Sequence, residues 1–342
     1  MKIVRCTDER QRDWNGYALS CPRASFYHRW EWRAINERNF GHESVYLAAI
    51  DDGRIVGILP LVRLKSLLFG NLGCSMPFVN YGGPAGDSDD IEQALMDAAA
   101  GVADEWQVRY LEIRTLRRLS ERYPASDHKV SMTIALEADP EAVLSRLKRE
   151  QRQEIRRAYK HGFVTRTGPE LVDDFFLCLS ENWREFGSPI YQIEYLRSVV
   201  EAFPDRTRLT VVYDANGVPA AAAMDGMHRR TMEGMWLGIR AAYRKQLVGY
   251  VLYWELIKGA CELGFESFHL GRSSKDSGSE VFKKKWNAEA RQLYWHYVLR
   301  THSEIPSLNP NNPKYRLAIK VWRRLPLAVT QFVGPRIARS IP

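Results

Sequence analysis

Apolar and polar positions follow two rhythms along the 342 residues. The run "SVYLAAID" (44–51), the pair Asp52-Gly53 and "RIVGILPLVRL" (54–64) predict a β-hairpin, because Asp-Gly supplies the positive-φ positions of a tight turn. In "IEQALMDAAAGVADEW" (91–106), Ile91, Ala94, Leu95, Ala98 and Val102 recur at helical spacing, and "VRYLEIRTL" (108–116) then reads as a strand. The second half repeats the order. "RLTVVYD" (208–214), a turn at 215–217 and "VPAAAAMDGMHR" (218–229) predict another hairpin, followed by the strand "TMEGMWLGI" (231–239). "LVGYVLYWELIKGACELG" (247–264) is a helix apolar nearly all round, hence buried, and "FESFHL" (265–270) is a strand ending at Gly271. Hairpin, strand, helix, strand thus occurs twice without evident residue identity, which predicts an α/β protein with two similar domains in tandem.

Between the two halves, "VLSRLKREQRQEIRRAYKHGF" (143–163) predicts a helix with Leu144, Leu147, Ile155 and Tyr159 on one face and Gly162 as C-cap. Arg149, Arg152, Arg156 and Lys160, three and four apart, share another face. That face is either solvated and laced by Glu150 and Glu154, or it binds an anion. The expected domains are 1–138, then 139–304 opening with this basic helix, then a basic amphipathic tail over 305–342. The tail begins with a Pro/Asn linker, and Tyr315, Ile319 and Trp322 stand opposite several cations. Such a segment binds a membrane surface or packs its apolar side on the protein's own body, and both remain open.

Charge narrows the partners. The net charge is +8, but no Asp or Glu follows Glu304, and Lys314, Arg316, Lys320, Arg323, Arg324, Arg336 and Arg339 account for all but one unit of it. The basicity belongs to the tail, so a nucleic-acid-binding body is not implied. The cysteines (6, 21, 74, 178 and 261) form no C-x-x-C and no cluster with His, which argues against a disulfide framework or a zinc site and suits a reducing cytoplasm. No metal ligand set is read from the sequence. "MKIVRCTDERQRDW" lacks the apolar core of a signal peptide, and the most apolar stretch (67–83) is broken by Gly, Asn and Pro and is shorter than the ~20 residues a bilayer requires. A cytoplasmic protein, peripheral on the membrane through 314–342 if the tail is an anchor, is expected.

The stretch "GRSSKDSGSEVFKKKWNAE" (271–289) carries the densest candidate chemistry. Arg272 at a strand's C-terminal end points at the usual ligand crevice of an α/β fold. Ser273 and the Ser/Gly loop behind it expose N–H groups that hold an anion, or Ser277 or Ser279 simply caps the next helix. Lys283, Lys284 and Lys285 face either solvent or something negative. Glu255, within an apolar helix, is a candidate general base if burial raises its carboxyl, with a structural pairing to a nearby Arg or Tyr as the alternative. Glu233 and Asp225 are further candidates, whereas His28, His42 and His228 are unclustered.

"HRWEWRAINERNFGHESVYLAA" (28–49), "PFVNYGGPAG" (77–86), "FGSPIY" (186–191), "YWELIKGACELGFESFHLGRSSKDSGSEVFKKKW" (253–286) and "LNPNNPKYRLAIKVWRRLPL" (308–327) resemble signatures of the FemAB-related acyltransferases. The branch most similar is the one associated with the exosortase (XrtA)/PEP-CTERM sorting system. The resemblance implies two tandem GNAT-like domains with mixed central sheets and a basic C-terminal tail. It implies transfer of an acyl or aminoacyl group to an amine of an anionic cell-envelope or exopolysaccharide precursor. No tightly bound cofactor is implied; the co-substrate is aminoacyl-tRNA or acyl-CoA.

The same resemblance marks Lys283, in the family's F-K-x-x-(F/W) pattern, as stabilising the developing oxyanion or binding the donor. Tyr81, Gly82 and Gly83, and in the second domain Gly187 and Ser188, resemble motifs that border the substrate cleft. The stripe Arg149/Arg152/Arg156/Lys160 would hold the acceptor's phosphate. One departure stands out. The Gln/Arg-x-x-Gly-x-Gly/Ala loop of acetyl-CoA enzymes is matched by Gln246 and Gly249, but Val251 replaces its last small residue, which predicts weak CoA binding. Two rival readings are an acyl-CoA-dependent N-acyltransferase acting on an amino sugar, and a non-catalytic or RNA-binding accessory factor.

Overall fold

A computed structural model describes residues 1–66, 69–301, 304–305 and 313–341, with the backbone alone at 313–315. Two compact units emerge: Met1–Val130 with Gln292–Leu308 and Arg339–Pro342, and Ser131–Arg291 with Asn309–Ala338.

Unit 1 opens with β1 (Lys2–Arg5), α1 (Gln11–Ser20) and α2 (Glu31–Phe40), and continues through β2 (Glu43–Asp51), β3 (Arg54–Ser66), β4 (Gly70–Cys74) and β5 (Ala85–Gly86). Helix α3 (Asp89–Glu105) leads to β6 (Tyr110–Thr115) and β7 (Ala125–Ser126). The chain enters unit 2 within β8 (Lys129–Ala135), followed by α4 (Pro140–Ser145), α5 (Arg149–Tyr159), β9 (Val164–Thr167), α6 (Val172–Phe186) and α7 (Ile193–Ala202). Next come β10 (Thr207–Tyr213), β11 (Pro219–His228), β12 (Thr231–Ile239), α8 (Val248–Glu262), β13 (Ser267–Ser274), α9 (Gly278–Lys284) and β14 (Glu289–Gln292). The chain ends with β15 (Tyr294–Leu299), α10 (Pro313–Trp322) and α11 (Leu327–Ala338).

Unit 1 holds a mixed sheet in the order β1-β2-β3-β4-β6-β15-β7, with β5 beside β3. Its strands read as continuous apolar runs because both faces are covered. In β2 the two-residue alternation sends Tyr46, Ala48 and Ile50 to a cluster with Trp14 and Trp30, and Leu47 and Ala49 to another with Leu95, Met96, Ala99 and Val102 of α3. The expected Asp-Gly hairpin is present, with Asp52 and Gly53 at positive φ.

Unit 2 has the order β14-β8-β13-β12-β11-β10-β9. Helix α8 crosses from β12 to the parallel strand β13 and is buried on most sides, as its composition predicts. Each unit therefore repeats hairpin, strand, helix, parallel strand, with β4 and β6 parallel in the first and β12 and β13 in the second.

Three expectations are corrected. The pieces are not contiguous: Tyr294–Leu299, expected within 139–304, pairs antiparallel with β6 and so completes the first sheet. The helix expected over 143–163 is two helices, broken at 146–148, where Arg152 donates to the Ser145 and Leu147 carbonyls at 2.7 Å each and so satisfies the end of α4. Strand β13 runs on to Ser274 rather than ending at Gly271. The tail packs on its own body: Ile319 of α10 lies against Gly187, Gly334 of α11 against the Ile190 backbone, and Gln331 donates to the Ser180 hydroxyl at 3.0 Å. The Pro/Asn linker at 306–312, Leu67–Leu68 of the apolar stretch and the Tyr315 side chain lie outside the described residues. Among the described residues no helix is long and apolar enough to cross a membrane.

Candidate active site

The parallel pair β12–β13 is laddered only over Thr231↔Ser267, Met232↔Phe268 and Glu233↔His269, although β12 continues to Ile239 and β13 to Ser274. Beyond the last pair the strands part. Such an interruption in a parallel pair is a place where an extended, amide-bearing ligand can add main-chain hydrogen bonds. On its other edge β12 carries a bulge: Trp236 lies opposite Met224 but Gly234 opposite Asp225, so Met235 is the extra residue.

Lys283 stands beside this notch. The Ser277 side chain caps α9, accepting from the Glu280 N–H at 3.3 Å. Phe282 of α9 and Trp286 just past its end pack on α8: the Phe282 ring lies 5.4 Å from Tyr250 and 5.1 Å from Tyr253, and Trp286 stacks on Tyr253 at 5.7 Å. That anchoring fixes Lys283 between them, only 5% exposed. Its Nζ donates to the Gly271 carbonyl (3.1 Å) and the Arg272 carbonyl (3.0 Å) of β13, and no carboxylate pairs with it among the described residues. Burial, and secondarily the Arg272 guanidinium, push the ammonium down to about 7. Lys284, by contrast, pairs with Glu280 at 2.6 Å and is exposed, as is Lys285.

Two further buried groups flank Tyr253. Asp225 is 1% exposed, its Oδ2 has no hydrogen-bond partner among the described residues, and burial raises its carboxyl to about 7 against a smaller opposing pull from Arg208. The Trp286 Nε1–H likewise finds no partner among the described residues. Buried polar atoms left unsatisfied are uncommon and cost roughly 1–3 kcal/mol each. At the last laddered pair, Glu233 Oε2 lies 3.1 Å from His269 Nδ1, both side chains buried. Laddered partners share a sheet face, and Asp225 partners Gly234 while Glu233 partners Gly226, so Asp225 and the Glu233–His269 pair lie on opposite faces. His269 was not legible as a site residue, because "FESFHL" shows only a strand; the signal available was a titratable residue in each strand of one βαβ unit.

The structure brings Lys283, Arg272 and Ser273 together, the Ser273 hydroxyl 3.1 Å from that of Ser279. The other expected residues are placed elsewhere. Glu255 accepts from the Tyr159 hydroxyl on the α5 side of α8, about 200° round the helix from Tyr253, which is the pairing with a tyrosine given as the alternative to a general base. Arg149 and Arg156 on α5 and Lys160 at its C-cap are exposed, but Arg152 is tied to the Ser145 and Leu147 carbonyls and leaves the stripe. Gly187 caps α6 at φ +76° and is required by the close approach of Ile319 (2.5 Å to a built Cβ); Ser188 continues that cap, its N–H donating to the Trp183 carbonyl at 2.9 Å.

In unit 1, Gly82 and Gly83 N–H groups donate to the Arg114 carbonyl, and Tyr81 is buried edge-on to Tyr27 at 5.5 Å. A Cβ on Gly83 would stand 2.6 Å from that carbonyl oxygen. Gly83→Ala is therefore expected to destabilise the protein by about 1–3 kcal/mol, read as a lower urea midpoint with an unchanged slope. Among the described residues no group of three or more His, Cys, Asp or Glu is arranged to hold a metal.

The comparisons agree with this topology. Residues 145–284 match the family model for an acetyltransferase (GNAT) domain, which covers the notch, α8 and Lys283. A GNAT domain thus occupies the second unit, and the chain is an acyltransferase in class. The whole fold is similar to that of FemX, with 14% identity over 93% of this chain and 100% of that one at a TM-score of 0.66. It also resembles a tandem GNAT protein from the clavulanic acid biosynthesis pathway, with 14% identity, 89% and 99% coverage and a TM-score of 0.55. The third likeness is to the C-terminal domain of a putative lysylphosphatidylglycerol synthetase from Agrobacterium fabrum, with 12% identity, 84% and 91% coverage and a TM-score of 0.55. These likenesses establish the tandem GNAT-like fold. No curated protein matches the chain by sequence.

Proposed function

We propose that the chain transfers an acyl or aminoacyl group to an amine, with the activated carbonyl in the β12–β13 notch and Lys283 as its electrophilic partner. The observation that carries this reading is a buried lysine held by two carbonyls of β13 with no carboxylate among the described residues to neutralise it. As the amine nitrogen bonds to the carbonyl carbon, negative charge grows on the oxygen, and the third Nζ–H of the ammonium is left to meet it. The bond to the leaving group then breaks and the amine loses a proton. We assign that proton to His269, whose Nδ1 lies 3.1 Å from Glu233 Oε2 at the inner end of the notch. His269→Gln is expected to lower kcat by roughly 10²–10⁴-fold without loss of fold, measured as thiol release from acetyl-CoA with an amino-sugar acceptor.

Acyl-CoA is the donor we favour. Val251, whose bulk departs from the small-residue loop, is fully buried, so its side chain does not stand over the open start of α8. That start has no side-chain cap and no acidic residue in its first turn; the Tyr250 N–H donates to the Leu247 carbonyl at 2.8 Å, so the Val248 and Gly249 N–H groups are the ones we assign to a pyrophosphate. Calorimetric titration of the full chain with CoA is expected to give micromolar binding; absence of heat would favour aminoacyl-tRNA, the donor that the FemAB resemblance implies. An anionic envelope or exopolysaccharide precursor as acceptor is supported by the resemblance of 253–286 and 308–327 to the exosortase-associated branch, and by the exposed Arg149, Arg156 and Lys160 as a phosphate-holding face.

A further inference from the structure

The tail helices are two-faced in a way the sequence left open. Their inward sides are accounted for by Gly187, Ile190 and Ser180, and the backbone of Gly187 and Gly334 is approached too closely for a larger residue. Their outward sides are not covered by any described residue. Leu317 and Val321, four apart on α10, are 65% and 53% exposed, and Phe332 on α11 is 68% exposed with Val329 beside it at 40%. Phe186, next to the α10 contact, is exposed at 59%. Cations surround these groups: Arg316 and Lys320 run alongside Leu317 and Val321, Arg323 and Arg324 follow α10, and the Arg336 guanidinium sits 4.2 Å over the Phe332 ring. No acidic residue lies in this segment. An apolar face set among like charges cannot be covered by a second copy of itself without bringing cations together, so its complement is a surface both greasy and negative.

We propose that the outward faces of α10 and α11 dock on an anionic lipid bilayer, with Leu317, Val321 and Phe332 entering the acyl boundary and Arg316, Lys320 and Arg324 meeting headgroup phosphates. Leu317 and Val321 offer no base-stacking face, and one face of the Phe332 ring is already covered by Arg336, whereas a bilayer solvates all three, which favours lipid over RNA. The segment belongs to unit 2, the unit that carries Lys283. The proposal does not depend on the transfer chemistry.

Co-sedimentation of the full chain with vesicles tests it. Binding is expected to phosphatidylglycerol-containing vesicles, to weaken with added salt, and to be at least tenfold lower on phosphatidylcholine alone. Two variants, Leu317→Ser with Val321→Ser and Phe332→Ser, and Arg316→Gln with Lys320→Gln and Arg324→Gln, should each lower the partition at least tenfold. Because these positions are exposed, both variants should melt like the parent. Hydrogen exchange of the unmodified chain gives an independent reading: slower exchange over 316–338 on anionic vesicles is expected. No partition, partition indifferent to the apolar variant, or exchange unchanged in the tail overturns the proposal. Loss with the charge variant alone, accompanied by tight tRNA binding, overturns it in favour of an RNA face.

Discussion

Lys283→Met is expected to cut transfer by about 10²–10³-fold and, at neutral pH, to leave the protein more stable than the parent. The two effects have one cause. Burial holds the Lys283 ammonium down to about 7 from its ordinary 10.5. A group whose folded pKa lies below its unfolded one contributes stability that is complete above 10.5 and is lost as pH falls towards 7. At pH 7 the parent has therefore lost this contribution, on the order of 4–5 kcal/mol by the shift alone and nearer 2–3 once the two hydrogen bonds to β13 are set against it. Methionine fills the same space without a charge. Melting curves should show the variant ahead at pH 7 and slightly behind the parent above about pH 10, where only the two lost hydrogen bonds separate them. Loss of activity together with loss of stability would instead mark Lys283 as a structural lysine.

Asp225→Asn is the second large effect, and its sign runs with pH in the opposite sense. The Asp225 carboxyl is raised from 3.8 to about 7, so its stabilising contribution is complete below about 3.8 and is lost as pH rises to about 7. Asparagine is indifferent to that interval. Urea melts should place the variant level with the parent at pH 4 and ahead of it above pH 7 by up to about 4 kcal/mol, the equivalent of the roughly three-unit displacement. A variant no better at pH 8 than at pH 4 would mean that the carboxylate finds compensation, for instance from Arg208 on the neighbouring strand.

Much of the fold was legible because its signals are local. The Asp52-Gly53 hairpin, the α3 spacing and the all-round apolarity of α8 each have one structural reading. What escaped is non-local. "KVSMTIA" and "YWHYVL" are equally good strands, and nothing in their alternation says that the first lies beside β13 and the second beside β6. The site divided in the same way. Lys283 was picked out by a residue pattern, and Phe282 and Trp286 supply its physical reason. Arg152 was placed on the stripe because charge spacing on a helix does not reveal that a carbonyl already waits for it, and for Glu255 the sequence offered a tyrosine partner without saying which one. Gly187 owes its place to a tail helix more than a hundred residues away in sequence.

The central claim is that Lys283 acts as a cation at the carbonyl, and the pH dependence of kcat/KM tests it most directly. With two N–H bonds committed to β13, the ammonium has one donor left for an oxyanion, whereas the neutral amine would have only a lone pair. The account predicts a rate that falls as pH rises through about 7 in the parent, and a weaker enzyme without that descending limb in Lys283→Arg, whose charge persists. A rate that climbs through about 7, or a limb unchanged in Lys283→Arg, would contradict it.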